Sequence, residues 1–408
     1  MKLFYGWYIV IAGLFLIILD GLLLYSFGIF LPYLIKGFSL STAAGASLFS
    51  VRCFVLAFSI MFAGRLIDKH NPMYVTFFGG LIAALGLFLS AYAKELWQLY
   101  ITYSVMIGIG DGFLYIVPVT VISRWFSSKR ALAIGIATTG VPISGLFVNP
   151  LSAWLIDSFG YQSAFIYLSF LFLVILSASF IIRANPKDMN LAAYGEKGDQ
   201  TKDRIKPVSE EWSAKEAFSE KTFWLLYFIF FTGFNAFLII IINLYNFCIY
   251  SGISAIVAAG APAAIGLGSI IGRTFFSGFI TRYLENTKIL FVCYFFQACS
   301  ILLLLVLSEV WTLYLFGFLF GFFYSGWVPM FPTILGSFYG LNSLGTIFGL
   351  FGSGFSVAAL TGPLLAGTLF DYTNSYFLPF LLAAVFCFLT AFLTFLIKPP
   401  VKTEAKLT

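Results

Sequence analysis

The sequence predicts an all-α membrane protein of twelve transmembrane helices arranged as two six-helix bundles. Three observations predict it. The 408 residues are 61% apolar and only 10% charged, with a mean hydropathy of +0.98. The apolar residues fall into runs long enough to cross a bilayer, and the two halves of the chain carry matching segments. A soluble chain of this length buries far less apolar surface and carries about 25% charged residues. The composition therefore excludes a soluble enzyme, a disordered protein and a nucleic-acid binder. It also excludes an outer-membrane barrel, whose strands alternate apolar and polar residues.

A spanning helix needs about 20 apolar residues. Runs bounded by charges, Gly, Pro or Asn give spans at 7–32, 43–64, 73–93, 97–122, 131–155 and 162–182, then at 222–247, 253–277, 288–308, 311–335, 344–370 and 376–397. The first is too long, and too interrupted by Asp20, for a cleaved signal peptide, so a retained helix is expected. Between the sixth and seventh spans lies one long polar segment, 184–221, where Lys/Arg alternate with Asp/Glu as in a solvated linker. Its end, Trp212 to Phe223, has the pattern of a short amphipathic helix on a membrane surface. The expected organisation is an N-terminal bundle over 1–183, a linker over 184–221, a C-terminal bundle over 222–398 and a tail over 399–408.

Of the 23 Lys and Arg, Arg52 and Arg273 lie within spans and Lys36 and Lys94 lie on one face. The rest fall on the opposite face, with both termini and the linker, which the positive-inside rule makes cytoplasmic. The net charge of +6 reports this orientation, in a cytoplasmic (inner) membrane, and not an acidic partner. The five cysteines sit in apolar runs without a CxxC pair, and His70 is the sole histidine. That argues against a disulfide framework, a metal site or a haem, and no cofactor is expected.

The repeat is visible in pairs of segments. Span 5 continues into Pro150-Leu151-Ser152-Ala153-Trp154-Leu155-Ile156-Asp157, and span 11 into Pro363-Leu364-Leu365-Ala366-Gly367-Thr368-Leu369-Phe370-Asp371, one residue longer. Gly112-Phe113-Leu114-Tyr115 with Pro118 in span 4 answers Gly321-Phe322-Phe323-Tyr324 with Pro329 in span 10. A six-helix unit repeated in one orientation is a transporter signature, with the substrate site between the halves near the midplane.

After span 2 the chain reads Gly64-Arg65-Leu66-Ile67-Asp68-Lys69-His70-Asn71-Pro72. This is similar to the major facilitator superfamily signature G-x-L-x-D-R-x-G-R, although Asn71 and Pro72 depart from its close. The resemblance makes Gly64, Asp68 and Lys69 gating candidates. A carboxylate there can cap the positive end of a neighbouring helix and hold one conformation shut. The alternative is a charged loop that only sets topology. The corresponding loop after span 8, Gly278 to Tyr283, lacks the acid, so any gate is asymmetric.

A narrower resemblance runs along nearly the whole chain. It is carried by Tyr5-Gly6-Trp7, the segment Tyr25 to Pro32, Ser123-Arg124-Trp125-Phe126, the segment Arg130 to Gly135, Phe159-Gly160-Tyr161, Thr222-Phe223-Trp224 and Gly272-Arg273. Together these resemble the monocarboxylate carriers and the related oxalate/formate antiporters. The resemblance implies transport of small carboxylates, often with a proton, and places Arg273 in the cavity as the substrate anchor. A guanidinium matches a carboxylate with a planar two-donor fork and stays charged when desolvated. The alternative is an arginine that snorkels to the interface.

Three departures stand beside it. Tyr25 occupies the place of a family lysine in helix 1, and Pro262 that of an aspartate three turns before the arginine. Span 11 has no cation from Leu344 to Leu369. A dianion held between two cations is thereby disfavoured.

Asp20, Arg52 and Asp111 lie near the middles of spans 1, 2 and 4, where an ionised side chain must face a cavity or a partner. Asp20 or Asp111 is the candidate proton site with Arg52 as counter-ion; a static ion pair is the alternative. Asp111 and Tyr115, four apart, share a helix face. Tyr25, Asn235, Tyr324 and Trp327 are further substrate-binding candidates, with Asn243 and Gln297 behind them, although helix–helix hydrogen bonding is the commoner use of such groups. The 51 phenylalanines are expected to pack or to face lipid. Gly108-x-Gly110-x-Gly112 lies mid-span with no strand before it, so it is no dinucleotide loop.

The sequence thus predicts a monomeric secondary transporter of a small monocarboxylate, lactate- or pyruvate-like, coupled to protons and working by alternating access. Transport of another metabolite such as an amino acid, or exchange of organic anions, remains open because a fold does not fix its substrate. An embedded enzyme would show a cluster of His, Cys or carboxylates at one face, and none is present.

Overall fold

The computed structural model describes residues 4–40, 42–195, 211–253, 255–305 and 309–401. Among them the structure is helical throughout, apart from an isolated bridge between Phe126 and Tyr194. The first half contains α1 (Tyr5–Gly37), α2 (Thr42–Lys69), α3 (Pro72–Ser90), α4 (Leu96–Leu99), α5 (Ile107–Trp125), α6 (Arg130–Thr138) and α7 (Gly140–Leu176). The short α8 (Ala214–Ser219) precedes the second half. That half contains α9 (Lys221–Tyr250), α10 (Ala255–Gly278), α11 (Asn286–Leu305), α12 (Val310–Trp327), α13 (Met330–Tyr339), α14 (Leu344–Thr373) and α15 (Phe377–Leu393).

Among the described residues, 11 helical runs are long and apolar enough to cross a membrane. One of them, Arg130–Ile181, has 52 residues. At about 1.5 Å per residue it would extend more than twice the roughly 30 Å hydrocarbon core. It breaks at Gly160, whose φ of 80° and ψ of 160° lie outside the helical region. Only glycine adopts that backbone without strain. The run therefore crosses twice, and the total is the twelve crossings that the sequence predicts. Two other crossings are composite. The π-helical turn Tyr100–Met106 joins α4 to α5, and Pro329, which has no N–H to donate, separates α12 from α13.

The departure of Asn71 and Pro72 from the signature has a local cause. The Asn71 side chain accepts from the Met73 amide at 3.0 Å, and Pro72 is the first residue of α3. These two residues start the next helix. The expected amphipathic helix is shorter than its pattern. It is α8, opened by a capping box between Ser213 and Glu216. It is also docked on protein: Trp212 is buried, donates its amide to the Tyr339 carbonyl at 3.1 Å and meets the Tyr339 ring edge-on at 5.7 Å.

Packing follows the two halves. α1 lies against α5, α6 and α7, and α3 against α5 and α7; α9 lies against α14 and α15, α10 against α12, and α11 against α12 and α15. The halves meet where α2 runs along α14 and where α10 crosses α6 and α7. Tyr5 donates to the Ile181 carbonyl, Arg124 pairs with Asp68, and Thr222 donates to the Lys398 carbonyl. The start of α1, the ends of α2 and α5, and both ends of the second half therefore share one face with the linker. Large apolar side chains such as Phe58, Phe78, Phe147 and Phe395 stand exposed around the outside.

Candidate functional site

Between the halves lies a cavity of about 110 Å³. The first half contributes Asp20, Arg52, Asp111 and Tyr115 to its wall, and the second half Arg273 and Tyr324. Asp111 and Tyr115 face it together, as their spacing requires. Arg52 and Asp111 form a buried ion pair with Nη2 to Oδ2 at 2.6 Å, and Arg52 Nη1 donates to the Leu23 carbonyl. A charge without a partner at this depth would cost several kcal/mol, which the pairing offsets. Arg52 is thus paired with Asp111, the ion-pair arrangement that the sequence left as the alternative.

Asp20 is left half-buried on the cavity wall, within electrostatic reach of Asp111, Arg52 and Arg273. Arg273 is almost fully buried. Its Nη1 donates to the Thr138 carbonyl at the C-terminal end of α6, in the opposite half, and its Nε has no partner among the described residues. Among those residues it forms no ion pair with a carboxylate, unlike Arg52 with Asp111 and Arg124 with Asp68. Tyr115 shares the cavity wall with both Arg273 and Asp20.

Two substrate-binding candidates do not line the cavity. Asn235 is buried, donates to the Phe231 carbonyl at 3.1 Å and accepts from Thr361 of α14 at 2.9 Å. Its amide ties α9 to α14. Trp327 stands one layer behind the wall. Its indole N–H donates to Gln297 Oε1 at 2.9 Å, its ring stacks on Tyr294 at 4.9 Å, and its edge backs Phe234. Asn243 likewise bonds its own helix, at the Ile239 carbonyl. Tyr25 lies in α1, but its side chain falls outside the described residues.

Besides Tyr115 and Tyr324, the rings that reach the cavity are phenylalanines that were not among the sequence candidates. Phe230, Phe234 and Phe237 of α9 line it with Phe348 and Phe355 of α14, and with Phe49 from the first half. These phenylalanines neither face lipid nor merely fill a core. Their i, i+4, i+7 spacing on α9 was the available signal. It is hard to read in a helix that is apolar on every side.

On the linker face Asp68 joins the two halves. Asp68 Oδ2 accepts from the Thr346 amide and hydroxyl, both at 2.7 Å, and Oδ1 accepts from the Gly345 amide at 3.2 Å and from Arg124 at 2.7 Å. Gly345 and Thr346 open α14, whose own N-cap residue, Ser343, makes no side-chain cap. The carboxylate of one half thus caps a helix of the other, where the dipole favours negative charge. Gly64 lies directly on the Gly345 backbone, and a Cβ there would overlap the Gly345 carbonyl. Lys69 points outward, exposed, and takes no part in this contact. On the α10 side, close packing of Gly135 against Ser277 joins the Arg273–Thr138 bond.

Comparison with known proteins agrees with this architecture. The profile of the Major Facilitator Superfamily matches residues 13–309 and 287–408. The chain belongs to the Major Facilitator Superfamily. It is 28% identical over 346 residues to human monocarboxylate transporter 12, a match covering 78% of this chain and 66% of that one. It is 31% identical over 179 residues to rat monocarboxylate transporter 13, covering 44% and 42%. The matched segments thus span less than two thirds of either relative's own length. Among solved structures, the fold resembles the E. coli fucose:proton symporter with a TM-score of 0.71 at 14% identity, over 97% of this chain and 98% of that one. A structure of the same symporter in the outward conformation gives 0.71 at 15% identity, over 95% and 98%. As a member of this superfamily the protein is a multi-pass membrane transporter, not an enzyme.

Proposed function

We propose that this transporter carries a small monocarboxylate, together with a proton, across a cytoplasmic membrane by alternating access. The observation that carries the reading is the contrast between the two cavity arginines. Arg52 is committed to Asp111, whereas Arg273 has no carboxylate partner among the described residues and only a backbone carbonyl to hold. One available guanidinium suits one carboxylate; a dicarboxylate would bury a second charge with no cation to meet it. Similarity to the monocarboxylate transporters supports the same class.

In this reading residues 1–183 and 222–398 are the two rocking units, joined by the linker 184–221. The termini, the linker and the tail 399–408 face the cytoplasm. The chain works as a monomer in the lipid bilayer. Arg273 binds the carboxylate with Tyr115 and Tyr324 beside it, Asp20 takes up and releases the proton, and Asp68 with Gly64 forms the cytoplasmic latch. Asp20 is preferred to Asp111 because both line the cavity but Asp111 is held by Arg52, whereas Asp20 forms no ion pair among the described residues and so can answer to the guest. Substrate on Arg273 and a proton on Asp20 leave the cavity with no excess charge, which lets the loaded carrier reorient.

The test is uptake by purified protein in liposomes under an inward proton gradient, with labelled pyruvate, lactate, formate, acetate, oxalate and several amino acids. Monocarboxylate uptake that Arg273→Gln abolishes, and that Asp20→Asn uncouples from the gradient, supports the assignment. Uptake of amino acids alone, or carboxylate uptake indifferent to Arg273→Gln, overturns it.

A further inference from the structure

The linker is docked near both of its ends, and by the same bond in each half. Tyr194 donates its amide to the carbonyl of Trp125, the last residue of α5, at 2.9 Å. Trp212 donates its amide to the carbonyl of Tyr339, the last residue of α13, at 3.1 Å. α5 and α13 end spans 4 and 10, which match in the repeat, so the two docks are counterparts. The last carbonyls of a helix have no partner within it, and the linker supplies one at each place. At the first dock Ser127 and Ser128 also donate their amides to the Tyr194 carbonyl, at 3.1 and 3.0 Å. At the second, Glu211 Oε2 accepts from the Asn342 amide at 3.1 Å. The carboxylate lies against Gly340, where a Cβ would overlap it.

Only the second dock leads into the Asp68 contact. Asn342 stands three residues before Gly345, at the entry to α14. The start of α14 is thus held by two carboxylates: Glu211 from the linker, just before the helix, and Asp68 from the first half, on its first turn. Negative charge is favoured at that end of a helix. Asp68 can accept from both Gly345 and Thr346 only while the elbow between α13 and α14 keeps its shape. The linker ties both sides of that elbow, with Trp212 on the end of α13 and Glu211 on the residue that leads into α14. We propose that this docked end of the linker is a built-in regulator of conformation. Docked, Glu211 and Trp212 hold the elbow in the shape that Asp68 grips; lifted, they let the linker face open. Both are positioning residues, and neither lines the cavity. This rests on the latch reading above and adds to it an element outside the two bundles.

The experiment uses the full-length protein in liposomes and takes two readouts. Spin labels at His70→Cys and Lys288→Cys, with the native cysteines replaced, report the linker face. Hydrogen exchange over residues 340–350 reports the elbow. Glu211 is exposed, so Glu211→Ala leaves both bundles intact. A charge at a helix terminus shifts an equilibrium by about two- to fivefold. Glu211→Ala should lower the closed-to-open ratio by about that factor and speed exchange at the elbow. Trp212→Ala is the second variant and should move both readouts the same way. Lys215→Ala, exposed on α8, is the control and should move neither. Faster exchange with unchanged distances would mean that the linker only ties down the loop, and the inference is overturned. Both readouts unchanged overturns it too. Asp68→Asn, measured beside them, separates the two readings. If it opens the face and the linker variants do not, only this inference falls; if it does not, the latch reading falls with it.

Discussion

Replacing Asp68 with Asn tests whether the latch governs conformation. The carboxylate accepts four hydrogen bonds, three of them from the first turn of α14 and one from Arg124. An amide keeps one acceptor oxygen and turns an NH2 donor toward groups that are themselves donors. At least two charge-assisted bonds are lost, each worth about 1.5–3 kcal/mol. The site is partly exposed, with 12% of the Asp68 side chain accessible, and solvent screening lowers the sum to about 2–4 kcal/mol. The bonds from Gly345 and Thr346 are lost only from the state closed on the linker face, because α14 belongs to the opposite half, whereas Arg124 belongs to the same half as Asp68. The closed-to-open ratio should fall between about 30-fold and a thousandfold. Spin labels at His70→Cys and Lys288→Cys, on exposed positions of the two halves, report the opening in a background with the native cysteines replaced. Asp68→Asn should move the distance distribution toward longer separations and slow transport. An unchanged distribution would mean that Asp68 only sets topology, and the latch argument would fail.

Gly64→Ala should open the same face by a different route, since its methyl group would strike the Gly345 carbonyl; the same label pair checks it, with Arg65→Ala as a neighbouring control. Arg52→Met alone leaves Asp111 buried and unpaired and should lower unfolding free energy by about 3–5 kcal/mol, whereas Arg52→Met with Asp111→Leu should recover most of it. Thermal unfolding in detergent reads both, and a double variant no better than the single would show that the pair is not the source of the loss. Gln297→Leu leaves the buried Trp327 indole N–H without an acceptor and should cost about 1–3 kcal/mol, restored by adding Trp327→Phe. Melting curves of the two variants decide it.

Much of the architecture was legible in the sequence because hydropathy is a property of each segment by itself. The twelve crossings needed only counting. Asp68 was legible as well, since the physics of a carboxylate at a helix N-terminus does not depend on knowing which helix receives it. The receiving helix is another matter. Nothing in Gly345 or Thr346 marks them as partners of a residue nearly three hundred positions earlier. Arg52, Asp20 and Asp111 could be placed at mid-depth, but which acid meets the arginine is set by how three helices rotate about their axes. A helix that is apolar all round carries no stripe to fix that rotation in the sequence. For the same reason Trp327 and Asn235 read as cavity groups and prove to brace the wall, while Phe230, Phe234 and Phe237 read as packing and face the cavity. Composition thus determined that this chain spans a membrane and how often. Tertiary structure decided which side chains share the central space, because that depends on contacts between helices and not on the character of any one of them.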